Sequence, residues 1–219
     1  MQLFSAFCVF SALALQQVAA VTWYYLRFET PSGAYISSFS GNMVAPTLPG
    51  AGTYYLWPGL QPSDNAGVLQ QVLDGRSGSW WIGSGWCCSD PDLSWGSGFN
   101  VNNGATIAFS NKVDSISDGT WATSLKSGSN SATGSFPLPT HPMNQAIFAI
   151  ELYNVSWTFG ALTFTDVVIT ANTSSTSWCT GGPYNYENAA VVSVSTPSAT
   201  VSGGTTTCSI SKVVLERPA

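Results

Sequence analysis

Between residues 57 and 81 the chain carries Trp57-Pro58-Gly59-Leu60-Gln61, Leu69-Gln70-Gln71-Val72-Leu73-Asp74 and Trp80-Trp81. Only 8% of the residues are charged. Aromatic faces, carboxamides and one carboxylate gathered in so short a segment mark a place where a ligand can be held. A second candidate is Glu151, which sits inside the apolar run Ala146-Ile147-Phe148-Ala149-Ile150-Glu151-Leu152-Tyr153. Strand alternation places it on one face with Ile147, Ala149 and Tyr153. If that face is a cleft, desolvation raises the acid's pKa and suits it to general acid/base work at low pH. The plainer alternative is a buried acid held by hydrogen bonds and doing no chemistry.

Other chemistries lack their residues. His141 is the sole histidine and lies between Pro139 and Pro142, a loop context ill suited to a Ser-His-Asp triad, and no Gly-x-Ser-x-Gly elbow occurs. Neither a His-Glu-x-x-His motif nor a calcium-loop spacing is present, so no metal site and no cofactor are expected. Eleven acids against six bases give a net charge of −5. Without a clustered basic stretch, nucleic acid is not expected as a partner. Sparse charge also predicts tolerance of acid, because few carboxylates lose partners on protonation.

The elements that would position these groups read as strands. Ala105 to Phe109, Ala146 to Tyr153, Leu162 to Thr170, Ala190 to Ser195 and Cys208 to Leu215 are short runs rich in β-branched and aromatic residues. Gly/Ser/Asn clusters such as Ser94 to Gly98 and Lys126 to Asn130 separate them. The pattern predicts an all-β fold, an antiparallel β-sandwich or jelly roll. Ser195 to Thr207, dense in Ser, Thr and Gly, reads as a long turn or loop.

Residues 1–20 read as a signal peptide, with an apolar run from Leu3 to Leu15 and small residues at Val18-Ala19-Ala20. Residues 21–219 then form a single β-sandwich domain, secreted, without a membrane span and monomeric. Cys87, Cys88, Cys179 and Cys208 are an even set suited to an oxidising compartment. Because a bridge between adjacent cysteines demands a strained ring, Cys87 and Cys88 are each expected to reach one of the two distant partners. Asn154-Val155-Ser156 and Asn172-Thr173-Ser174 are glycosylation sequons.

The order Trp57-x-Gly59-x-Gln61, Leu69-Gln70-x-x-x-Asp74, Trp80-Trp81 and Phe159-Gly160-Ala161-Leu162-Thr163-Phe164-Thr165-Asp166 resembles that of the glutamic endopeptidases, or eqolisins, over roughly Tyr54 to Thr170. The resemblance implies a concanavalin A-like jelly roll with a Gln/Glu dyad on its concave sheet. Gln70 takes the place of the catalytic glutamine, and Asp74 and Trp57 match cleft residues around it. In such a dyad the glutamate activates water and the carboxamide N–H donates to the oxyanion. The family's strand reads Ala-Glu-Trp-Ile-Val-Glu, so its first, catalytic glutamate meets Ile147 and its second is kept as Glu151. A dyad using Glu151 has its partners displaced by about 13 Å along the strand.

These observations support an acid-tolerant hydrolase of extracellular polypeptides, with Gln70 and Glu151 catalytic and Trp57, Gln61, Asp74, Trp80, Trp81 and Trp86 binding substrate. The alternative is a glycan-binding or glycan-cleaving protein. Trp80, Trp81, Trp86 and Trp95 could then be platforms for sugar rings, Gln61, Gln70, Asn100 and Asn102 could bond hydroxyls, and Glu151 with Asp74 would be the carboxylate pair. A third reading is a structural protein with an occluded cleft, in which the tryptophans are core.

Overall fold

The computed structural model describes residues 21–88, 90–186 and 190–218, so the leader read at residues 1–20 lies outside the described residues. In chain order the strands are β1 (Val21–Glu29), β2 (Ile36–Val44), β3 (Thr53–Pro62), β4 (Val68–Asp74), β5 (Trp80–Cys87), β6 (Gly98–Val101), β7 (Thr106–Val113) and β8 (Thr120–Ser127). They continue with β9 (Asn130–Pro137), β10 (Met143–Tyr153), β11 (Leu162–Ala171), the four-residue helix α1 (Ser177–Thr180), β12 (Tyr184–Asn185), β13 (Val191–Val194), β14 (Ser198–Ser202) and β15 (Thr205–Glu216).

Two antiparallel sheets face one another. The first is seven-stranded in the order β12-β1-β10-β3-β4-β5-β6, and the second is eight-stranded in the order β13-β15-β11-β2-β7-β8-β9, with β14 paired to β15. The period-2 apolar pattern explains the sandwich. Leu56 and Leu60 of β3, Leu69 and Leu73 of β4, and Phe148 and Ile150 of β10 are fully buried, and they meet Phe39, Phe109 and Phe164 from the second sheet. Phe148 is the hub, with ring centroids 5.3 Å from Phe39, 4.7 Å from Phe164 and 6.5 Å from Phe28. Truncating such a ring leaves a cavity at the junction of the sheets. Phe148→Ala is therefore expected to cost about 3–5 kcal/mol in denaturant unfolding, and a loss below roughly 1 kcal/mol would contradict that packing role.

A polar tie also crosses the core. Gln71 of β4 and Asn111 of β7 are both fully buried and bond reciprocally, Asn111 Nδ2 donating to Gln71 Oε1 at 3.0 Å and Gln71 Nε2 donating back to Asn111 Oδ1. With Gln71 committed inward, its neighbour Gln70 must face outward.

Two sequence expectations are corrected here. Ser195 to Thr207 is not a bare loop, because β14 within it forms a hairpin with β15; β-branched Thr and Val supply the propensity that its Ser/Gly content masks. The disulfides also differ: Cys179 pairs with Cys208, with Cα atoms 5.6 Å apart, and Cys87 pairs with its neighbour Cys88. Topology decides this. Strand β5 lies near the β6 edge of its sheet, while α1 sits beside β14 and β1, and β15 is next to the opposite edge of the other sheet. No helix among the described residues is long and apolar enough to cross a membrane.

Candidate active site

Antiparallel register sorts the outer face of the first sheet into transverse rows. One row reads Trp23, Glu151, Tyr55, Asp74, Trp81 and Asn100, across β1, β10, β3, β4, β5 and β6. Four residues further along β10, another row reads Arg27, Ile147, Gly59, Gln70 and Gly85. Trp57, Val72 and Ala149 lie between these rows and, with Ile147 of the second row, form a buried apolar cluster separate from the main core.

Glu151, Asp74 and Gln70 open into one hollow of about 510 Å³, walled by Tyr55, Tyr153, Trp81, Trp95 and the Cys87–Cys88 pair. Glu151 is 8% exposed. Trp57 Nε1 donates to its Oε2 at 3.2 Å, and the Tyr153 hydroxyl donates to its Oε1. Burial raises the pKa of Glu151, and these two hydrogen bonds only partly oppose the shift. Burial, the bond to Glu151 and the nearby negative charge together push Tyr153 up to about 12, so its hydroxyl stays protonated as a donor.

Asp74 has a different environment. Arg76 Nη2 lies 2.7 Å from its Oδ2 and Arg76 Nε donates to both oxygens, while the guanidinium rests 5.4 Å from the Tyr55 ring centre. Burial raises the Tyr55 pKa despite that cation, with Asp74 and Glu151 adding to the rise. One carboxyl is thus driven toward its neutral form and the other is held in an ion pair. Tyr55 stands between them, and two strand spacings set their Cα atoms about 9.6 Å apart.

The wall beyond Asp74 is made of indole faces. Trp81 lies flat over Gly83 and Gly98, where an added Cβ would come within 2.0 and 2.2 Å of the ring, and Trp95 lies over Gly85, where it would come within 2.4 Å. Glycine at those positions is what lets the rings lie down on the sheet. Trp95 remains 46% exposed.

The structure distributes the sequence candidates unevenly. Trp57 holds Glu151, Asp74 and Trp81 share its row, and Gln70 lies in its hollow. Gln61 borders a neighbouring hollow instead. Trp80 and Trp86, expected to bind substrate, are 1% and 3% exposed in the core between the sheets. Residues of β5 alternate, so Trp80, Ile82 and Trp86 point inward and Trp81 points out. The indole of Trp80 donates to the Pro46 carbonyl at 2.7 Å, and Trp86 stacks on His141 with centroids 5.5 Å apart. His141, in the loop between β9 and β10, faces Asp64 at 3.3 Å, away from Glu151.

Gln70 and Glu151 share a hollow but not a row. Four residues along the strands, about 13 Å, and two strands across separate their Cα atoms, with Val72 and Tyr55 among the residues lining the space between. The residue directly across Gly59 from Gln70 is Ile147. Trp95, a sugar-platform candidate of the glycan reading, does line the hollow, whereas Tyr55 and Arg76 were not singled out as site residues from the sequence. Period-2 spacing from Trp57 and Asp74 points to Tyr55 and Arg76, while Trp95 arrives from the loop between β5 and β6.

No protein-family model matches the chain, and no curated protein matches it. Among solved structures it is similar to scytalido-glutamic peptidase crystallised with a peptide-based transition-state analogue, at 19% identity and TM-score 0.52, covering 88% of this chain and 99% of that one. A second crystal structure of that peptidase, with a transition-state analogue inhibitor, gives 19% identity, TM-score 0.51 and the same coverage. The chain therefore has the β-sandwich fold of the glutamic peptidases, the fold implied by its motifs.

Proposed function

We propose that the chain is an exported hydrolase active in acid, that Glu151 is its proton donor, and that its substrate is a neutral extracellular polysaccharide. The observation that carries this reading is the row Glu151, Tyr55, Asp74, Trp81: two carboxyls in contrasting environments on either side of an aromatic floor, beside indole faces laid flat on glycines. Sugar rings present C–H faces that stack on the negative face of an indole. A neutral carboxylic acid can protonate a glycosidic oxygen while an ionised one activates water or stabilises positive charge. Inverting glycosidases separate such carboxyls by about 6.5–9.5 Å, and two strand spacings leave room of that order.

A second reading, hydrolysis of polypeptide, is favoured by one specific feature. The Gln70 carboxamide is 6% exposed, lines the hollow and has no side-chain partner among the described residues, as an oxyanion donor would. Its register with Ile147 rather than with an acid ranks this reading second.

The test incubates purified protein with β-glucan, chitin and denatured polypeptide between about pH 3 and 5. New reducing ends support the polysaccharide assignment. Peptide cleavage without sugar cleavage transfers the site to the second reading, and neither product overturns both. Export and a monomeric state are part of the proposal, and the Cys179–Cys208 disulfide supports the first of these. So is N-glycosylation at Asn154 and Asn172, both at exposed positions.

A further inference from the structure

A second hollow, of about 450 Å³, lies on the same face, bordered by Trp23, Tyr25, Trp57, Tyr186, Gln61 and Asn65, with Arg27 and Ile147 at its base. Trp57 belongs to its wall and at the same time bonds Glu151 of the first hollow, so the two spaces meet at one indole. Along β10 they are displaced by the four residues from Ile147 to Glu151, about 13 Å. That displacement exceeds a single sugar ring.

Two carboxamides line this hollow. The side chains of Gln61 and Asn65 have no hydrogen-bond partner among the described residues, and each carboxamide offers both donors and an acceptor. Tyr25 and Tyr186 stack with centroids 4.6 Å apart, and Trp23 meets Trp57 edge-on at 6.4 Å. The charge of Arg27 is already answered by Glu29 at 2.9 Å, and its Nη1 donates to Gln145. One buried Arg27 nitrogen, Nε, keeps no partner, but the charge is paired, so among the described residues an anionic ligand would find no spare cation, and two carboxyls wait in the adjoining hollow.

We infer that this second hollow is a subsite for a neutral sugar unit of the same chain that occupies the Glu151 hollow, so the protein engages an oligosaccharide across Trp57 rather than a single ring. The inference rests on the polysaccharide reading above. The open ring faces of the partly exposed Trp23 and Tyr186 would take the C–H faces, and Gln61 and Asn65 the hydroxyls.

Tryptophan fluorescence or calorimetric titration with a ladder of neutral β-linked gluco-oligosaccharides tests it. For the unaltered protein, affinity should rise with chain length and then level off. Gln61→Ala and Asn65→Gly should each remove about tenfold of that gain while leaving the affinity for the shortest ligands unchanged. Asn65 has φ of 55°, and glycine keeps that backbone conformation available. Identical length dependence in variant and unaltered protein overturns the subsite while leaving the Glu151 reading intact. Failure of the unaltered protein to bind any member of the ladder overturns the polysaccharide reading and the subsite with it.

Discussion

Glu151→Gln is expected to lower hydrolysis by about 100-fold to 10,000-fold, the range associated with a positioned general acid, while the protein stays folded. The carboxamide has nearly the shape of the carboxylic acid, and its oxygen can still accept from Trp57 Nε1 or the Tyr153 hydroxyl, the two groups that hold Glu151. What it loses is the transferable proton. The activity of the unaltered protein should fall as pH rises through the Glu151 pKa, which burial places above the ordinary glutamate value of 4.5. Stability follows the same sign. A carboxyl that is more basic in the folded chain than in the unfolded one contributes stability that is fully present below the unfolded pKa and lost as pH rises through the folded pKa. Glu151→Gln should therefore flatten this part of the stability profile between acid and neutral pH. Rates within about threefold of the unaltered protein, with thermal unfolding unchanged, would remove Glu151 from the chemistry.

Ile147→Glu should have an effect of comparable size in the opposite direction. The new carboxyl would stand directly across Gly59 from the unpartnered Gln70, in the place the glutamic endopeptidases give their catalytic glutamate. In acid it can be protonated and tolerated within the cluster of Trp57, Val72 and Ala149. At neutral pH an ionised carboxylate at a site 4% exposed should cost several kcal/mol, so this variant should be stable only toward low pH. Toward the upper end of that acid range, where part of the new carboxyl is ionised, it should cleave denatured polypeptide at least about 100-fold faster than the unaltered protein, because water activation and oxyanion donation would then converge on one carbonyl. A variant that is folded at low pH yet gains no peptide cleavage would show that the row through Gln70 lacks the geometry of a peptidase centre.

Much of the architecture was legible because periodicity is a local property. Ala146 to Tyr153 and Leu162 to Thr170 fall within β10 and β11, and Cys208 to Leu215 falls within β15. Each run carries enough β-branched and aromatic residues to declare itself. The strand β14 was hidden because its Ser/Thr composition resembles a loop until it is paired with β15. Trp80 and Trp86 were assigned to the site because they share a segment with Trp81. Alternation separates odd from even residues on β5 but does not say which set meets the second sheet; packing against partners such as Pro46 and His141 decides that.

The amino-acid sequence by itself determined an all-β chain with little charge, an even set of cysteines and a carboxylate inside an apolar strand, since these follow from composition and from a two-residue period. Only the tertiary structure decided that Glu151 shares its row with Asp74 and Trp81 while Gln70 shares its own with Ile147, and that each cysteine finds the partner it has. Register and sheet order arise from pairing between separate segments, some of them as distant in the chain as β3 and β10, and a one-residue shift in any pairing would have turned the same side chains to the other face.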